Sequence, residues 1–197
     1  MCHLLESICL QDGIFENLSY HQRRMDFSCR KIFNSRAPEL STALHSQNFP
    51  SRGLYKIRVI YTHKIEKIEA IPWSIPDILT LKAVYCSDIE YPHKYTDREI
   101  INRLFSQRED CDDILIVKNG LITDTSYCNI LLRNKERWYT PFQPLLKGTM
   151  LTSLIEKGIV IPADIAVQDL HHFQTIKLIN AMMRFNGPEI PVSNISL

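Results

Sequence analysis

Residues 113–123, Asp-Ile-Leu-Ile-Val-Lys-Asn-Gly-Leu-Ile-Thr, hold two apolar runs on either side of Asn119-Gly120. Asn-Gly tolerates positive φ at both central positions of a two-residue turn, so the pair predicts a β-hairpin and sets the runs around it as strands. Downstream, Asn129–Arg133 (NILLR) and Arg137–Pro141 (RWYTP) read as further strand segments. Gly148 opens a helix that a glycine stop, Gly158, ends. Upstream, Leu79–Ser87 reads as a strand, and Thr96 with Glu99 has the spacing of a capping box that starts a helix to about Ser106.

The first part of the chain repeats the mixture. His3–Leu10 predicts a strand that ends at the turn signal Asp12-Gly13. A helix from Ser19 to Phe33 follows, with Leu18, Met25, Cys29 and Ile32 on one side and His21, Arg24 and Ser28 close together on another. Tyr55–Tyr61 alternates, with Tyr55, Ile57, Val59 and Tyr61 on one face and Lys56 and Arg58 on the other; it pairs with the charged stretch His63–Ile71. Pro72 and Pro76 disfavour both helix and central strand, which makes 73–76 a linker between a part at 1–72 and a part at 77–197. Strands and helices mix without a strict βαβ rhythm, so the expected class is α+β, an irregular α/β layout.

Composition narrows the function classes. A net charge of +1 over 197 residues, with no long Lys/Arg run, offers no field for nucleic acid or an anionic membrane. No stretch approaches the ~18 apolar residues of a membrane span. The six cysteines include no C-x-x-C pair, so neither a zinc site nor a redox dithiol is signalled. The opening MCHLLESICL lacks the basic segment and long apolar run of a signal peptide, so the thiols read as reduced and the location as cytoplasmic. Adjacent His171 and His172 point in different directions on a regular element and have no third ligand nearby, so no metal site is expected. A small molecule or another protein remains as partner.

An ordered series of short motifs carries the argument further. It runs through LLESI, H-x-x-R at His21–Arg24, YKIR at Tyr55–Arg58, a lysine at 94, GLITDTSYCN at 120–129, YTP at 139–141 and LLKGT at 145–149. In order and spacing it resembles the class IV aminotransferases, the fold type IV pyridoxal-phosphate family that includes branched-chain and D-amino acid aminotransferases and 4-amino-4-deoxychorismate lyase. The resemblance implies two α/β subdomains with pyridoxal 5'-phosphate in the cleft between them, and a homodimer. It also implies an amino substrate bearing a carboxylate.

Carried over position by position, the resemblance makes Lys94 the Schiff-base lysine and the base for the substrate α-proton. Asp124 stands where the family's glutamate usually stands, opposite the pyridine nitrogen; the other reading of Asp124, with Thr125 and Ser126, is a side-chain-to-backbone turn. Arg24 matches the arginine that helps hold the phosphate, or is an exposed helix arginine. Asn129, Leu146, Gly148, Thr149 and Met150 fall in the cofactor-binding motifs, with amides at a helix start suited to an anion. Asn180, in KLINAMM, is a further cofactor candidate. Arg58 suits a substrate carboxylate, or pairs with Glu66 or Glu69 across the hairpin. His93 reads as a bystander.

Three departures stand out: Asp124 for glutamate, Met150-Leu151 where many relatives carry an arginine, and the short chain. The expected reaction leans to 4-amino-4-deoxychorismate lyase, giving 4-aminobenzoate and pyruvate for folate synthesis. Amino acid transamination, or a catalytically retired member acting as a binding module, are the alternatives.

Overall fold

The computed structural model describes residues 2–197, which form two compact units. One runs to Ile75 and takes in His93–Asp97; the other holds Pro76–Pro92 and Arg98–Leu197. The first break in the chain falls between Ile75 and Pro76. The return of His93–Asp97 to the first unit was not in the sequence reading, which assigned Lys94 to the second.

The first unit contains β1 (Leu4–Gln11), β2 (Ile14–Phe15), α1 (Leu18–Phe33), α2 (Leu40–His45), β3 (Leu54–Tyr61) and β4 (Ile65–Pro72). Its antiparallel sheet has the order β2-β1-β3-β4. Asp12 and Gly13 both have positive φ, 50° and 82°, so the chain reverses where the turn signal stands. Leu4, Ile8 and Leu10 of β1 and Ile57, Val59 and Tyr61 of β3 meet Met25 and Cys29 of α1 in one core. Helix α2 adds Leu40 and Leu44; its six residues are too few to show a helical period, so it was not expected.

β2 pairs only with Leu10 and Gln11, which leaves the other end of the β1 edge open to a partner. His93–Asp97 takes that edge. Tyr95 bridges Leu4 antiparallel, Leu5 N–H donates to Lys94 O at 2.9 Å, and Thr96 N–H donates to His3 O at 3.0 Å. A strand edge must satisfy its backbone groups, and this segment does so for β1.

The second unit contains β5 (Leu81–Tyr85), α3 (Glu99–Phe105), β6 (Asp113–Lys118), β7 (Leu121–Ile122), β8 (Asn129–Asn134), β9 (Arg137–Pro141), α4 (Thr149–Glu156), β10 (Val160–Ala163), β11 (Thr175–Ile179), β12 (Glu189–Pro191) and β13 (Ile195–Ser196). They form two mixed sheets, β13-β5-β6-β7 and β10-β9-β8-β11-β12. The β6–β7 hairpin turns at Asn119 and Gly120, with φ of 52° and 79°. β5 starts later than expected because Asp112 accepts the amides of Leu79 and Thr80 at 2.8 and 3.0 Å, closing a loop ahead of it.

The capping box is not formed. α3 begins at Glu99 with Arg98 as its cap and no side-chain capping bond, while the Thr96 hydroxyl donates to His3 O at 3.3 Å. Pairing with β1 has claimed Thr96. At α4 the punctuation is as expected: Gly148 precedes the first helical residue and Gly158, at φ 67°, follows the last turn. His171 and His172 lie in a 3₁₀ turn with ring centroids 3.8 Å apart. The tight turn places the two rings together, against the expectation that they diverge.

Candidate functional site

In the first unit, Lys94 is the central residue of a three-residue turn closed by Tyr95 N–H donating to His93 O at 2.9 Å. Its φ is not positive, so this is the inverse γ form common at strand ends. The backbone of Lys94 is thereby fixed on both sides, by the turn and by Leu5. The His93 ring is held as well: its Nδ1 is 3.0 Å from Ser28 Oγ, and it stacks on Phe27 at 5.6 Å. His93 is thus packed beside α1, which the bystander reading did not anticipate.

Arg24 is not an exposed helix arginine. Its side chain is 13% exposed, its Nε donates to Glu6 Oε1 at 2.9 Å and its Nη2 to Glu6 Oε2. The same carboxylate accepts from His21 Nδ1 at 2.6 Å. All of His21 and Glu6 is buried. Burial alone would raise the Glu6 pKa, but Arg24 and His21 outweigh it and bring the value to about 2. Burial also lowers His21, against the pull of Glu6, so the ring is neutral and donates. Glu6 was missed from the sequence, although it lies within LLESI. The available signal was its place between Leu4 and Ile8 on the core face of an alternating strand.

Arg58 stands opposite Glu69, with Nη1 to Oε2 at 3.1 Å, and Glu69 also receives Lys67 at 2.7 Å. The cross-hairpin pair is therefore formed. Both members are about a third exposed, 33% and 30%, so solvent screens the pair and leaves it weak.

In the second unit, β6 leads through the hairpin to Asp124, whose O accepts Ile116 N–H at 2.9 Å. The Asp124 carboxylate accepts Asn129 Nδ2 at 2.6 Å and Leu146 N–H at 3.1 Å. Asp124 and Asn129 face each other as an isolated antiparallel bridge, and Thr125 N–H donates to Cys128 O at 2.9 Å across the same loop. Thr125 Oγ1 accepts Cys128 N–H at 3.1 Å, so a side-chain-to-backbone turn forms at Thr125, while the Asp124 carboxylate is taken by Asn129 and Leu146. Burial pushes the Asp124 pKa up to about 7, opposed by Asn129 and the amides of Leu146 and Leu145.

Asn129 has a second bond from Nδ2, to Leu146 O at 2.7 Å, and its Oδ1 accepts Gly148 N–H at 3.0 Å. Gly148 has an ordinary extended conformation, φ −66° and ψ 154°. Glycine is needed there for space: a Cβ would fall on Asn129 Oδ1. Thr149 and Met150 begin α4 and are buried, Met150 in the core with Leu131 and Leu151. An apolar residue at 150 fits that core. Asn180 is committed to its own turn: Oδ1 accepts Met182 and Met183 N–H, both at 2.9 Å, and Nδ2 donates to Cys128 Sγ at 3.3 Å.

Asp113 is fully buried at the start of β6, with Oδ1 accepting Ile114 N–H at 2.8 Å and Ser126 N–H at 3.4 Å. Burial raises its pKa. Among the described residues no cluster of three or more His, Cys, Asp or Glu could hold a metal, and no helix is long and apolar enough to cross a membrane.

The chain belongs to the class IV amino-transferases: the family's model matches residues 3–192. An uncharacterized protein of Haemophilus influenzae is 36% identical over 185 residues, covering 92% of this chain and 98% of the relative. A crystal structure of a proposed 4-amino-4-deoxychorismate lyase from Haemophilus somnus is similar at 34% identity and a TM-score of 0.86, over 95% of this chain and 98% of that one. A hypothetical aminotransferase from Mycobacterium tuberculosis, in its PLP-bound form, shares the fold at 16% identity and a TM-score of 0.73, covering 98% of this chain and 81% of that one.

Proposed function

We propose that this chain is a pyridoxal-phosphate enzyme of the 4-amino-4-deoxychorismate lyase type, releasing pyruvate and 4-aminobenzoate in the folate pathway. The observation that carries the cofactor is Asp124: a buried carboxyl, aligned by Asn129 and Leu146 and shifted to about 7 by burial. A cationic ring nitrogen is the kind of partner that ionises such a group. The dipole at the start of α4, just after Gly148, favours an anion such as a phosphate, and Lys94 is the lysine that falls in the family's motif order. The residues present therefore fit the group. The likeness to the Haemophilus somnus structure supports the lyase over transamination.

Bound pyridoxal phosphate supplies an electrophilic carbonyl and an electron sink for the substrate's Cα electrons. Lys94 Nζ would hold the cofactor and serve as the base for the substrate α-proton. Asp124 would face the ring nitrogen and favour its protonated form. Arg24, aimed by Glu6, and the helix start at Gly148–Met150 would be the phosphate ligands, and Arg58, once released from Glu69, would receive the substrate carboxylate. In the same reading the enzyme is a cytoplasmic homodimer.

Purified protein mixed with pyridoxal phosphate tests the reading. Visible absorbance abolished by borohydride is expected, and is absent in Lys94→Ala. Pyruvate released from 4-amino-4-deoxychorismate without a keto acid supports the lyase; turnover of an amino acid only with a keto acid shows an aminotransferase instead. Protein that stays colourless refutes the enzyme and leaves a binding module.

A further inference from the structure

Asn129 falls in a cofactor-binding motif, yet its carboxamide is spent on the protein. Both Nδ2 hydrogens point at acceptors, Asp124 Oδ1 and Leu146 O, and Oδ1 faces one donor, Gly148 N–H. Rotating the amide by 180° would put Oδ1 against two acceptors, so the chemistry decides its orientation. The three partners belong to three places in the chain, 5, 17 and 19 residues away. The same oxygen occupies the space a side chain at 148 would need.

We infer that Asn129 is a positioning residue, coupling the carboxyl of Asp124 to the amide-led turn that opens α4, and makes no contact with the cofactor. Through it, a shift at either end is felt at the other: moving Gly148 drags Oδ1, and moving Oδ1 turns Nδ2 away from the carboxylate. Leu146 reinforces the link, because it donates to Asp124 and accepts from Asn129 with one peptide's length of chain. Gly148 is required by this arrangement, and its backbone angles are open to any residue. What the coupling serves rests on the cofactor reading above; the coupling itself does not.

The first test is a double-mutant cycle in urea on the cofactor-free protein, combining Gly148→Ala with Asn129→Ala. Gly148→Ala alone is expected to lower the midpoint clearly, and in the Asn129→Ala background to lower it by less than half as much, because the clash is gone. Equal shifts in the two backgrounds overturn the inference. The second test follows the Asp124 carboxyl carbon by NMR against pH. Loss of the Nδ2 donor is expected to move its titration upward in Asn129→Ala, a shift that a purely local packing role would not produce; an unmoved titration overturns the inference. Asn129→Ser removes the Nδ2 donor without adding a charge beside Asp124, and is expected to move the same titration upward should Asn129→Ala not fold.

The third test is pyridoxal phosphate affinity by equilibrium dialysis. Asn129→Ala is expected to bind on the order of 10-fold more weakly, the effect of one buried hydrogen bond, and unchanged affinity overturns the inference. Wild-type protein that binds no pyridoxal phosphate refutes the proposed function while leaving the stability cycle and the titration to judge Asn129.

Discussion

Glu6 and Asp124 are both buried acids, and their partners send them in opposite directions. Glu6 faces a guanidinium and an imidazole, which pull its pKa down to about 2; Asp124 faces neutral donors, and burial pushes its pKa up to about 7. The pH dependence follows in sign. The folded state binds the Glu6 proton less tightly than the unfolded chain, so its contribution is present above 4.5 and is lost as pH falls toward 2. For Asp124 the folded state binds the proton more tightly, so cofactor-free protein loses stability as pH rises from 3.8 through about 7. Denaturant titrations of the cofactor-free protein at several pH values check both: Asp124→Asn should reduce the loss between pH 4 and 7, leaving the part contributed by Asp113, whose pKa burial also raises. Glu6→Gln leaves Arg24 and His21 without their carboxylate and is expected to cost about 3–5 kcal/mol at pH 7, with a flatter acid limb. At this scale the sequence pointed to candidates such as Lys94 and Asp124 but hid Glu6, whose charge on a core face has meaning only once Arg24 is seen beside it.

Among elements, the β6–β7 hairpin was the most legible, because Asn119-Gly120 writes its own geometry. Gly120 stands at φ 79° with nothing near a Cβ built on it. Gly120→Ala therefore meets a backbone penalty alone, about 1–2 kcal/mol, seen as a lower urea midpoint at unchanged slope. The α3 start was misread for the opposite reason: Thr96 has the right spacing for a cap, but the β1 edge offers its backbone and hydroxyl a competing partner. Thr96→Ala should accordingly leave the helical signal of the protein unchanged in far-ultraviolet circular dichroism, whereas loss of helix would restore the capping box. The α1 periodicity correctly separated two faces, yet His21 and Ser28 on the second are buried with Met25 and Cys29 on the first. Polar residues at that spacing look solvent-facing until a buried acid across the strand claims them.

For the molecule as a whole, the segment His93–Asp97 makes the first unit discontinuous. A fragment ending at Ile75 lacks the partners of His3 and Leu5 on the β1 edge and exposes the side of Leu4 that Tyr95 covers. It is expected to melt without a cooperative transition in circular dichroism; a sharp transition equal to that of the intact chain would show the segment to be dispensable. The sequence by itself determined what local rules encode: strand alternation, the turns at Asp12-Gly13 and Asn119-Gly120, the glycine bounds of α4, and the motif order that points to the family. Tertiary structure alone decided that Lys94 is pinned to β1, that Arg24 is aimed by Glu6 from 18 residues away, and that Asn129 ties Asp124 to Gly148. The physical reason is that turns and alternation depend on neighbours in the chain. A buried polar group instead takes whichever partner the packed fold brings within hydrogen-bond reach, and no spacing in the sequence specifies that partner.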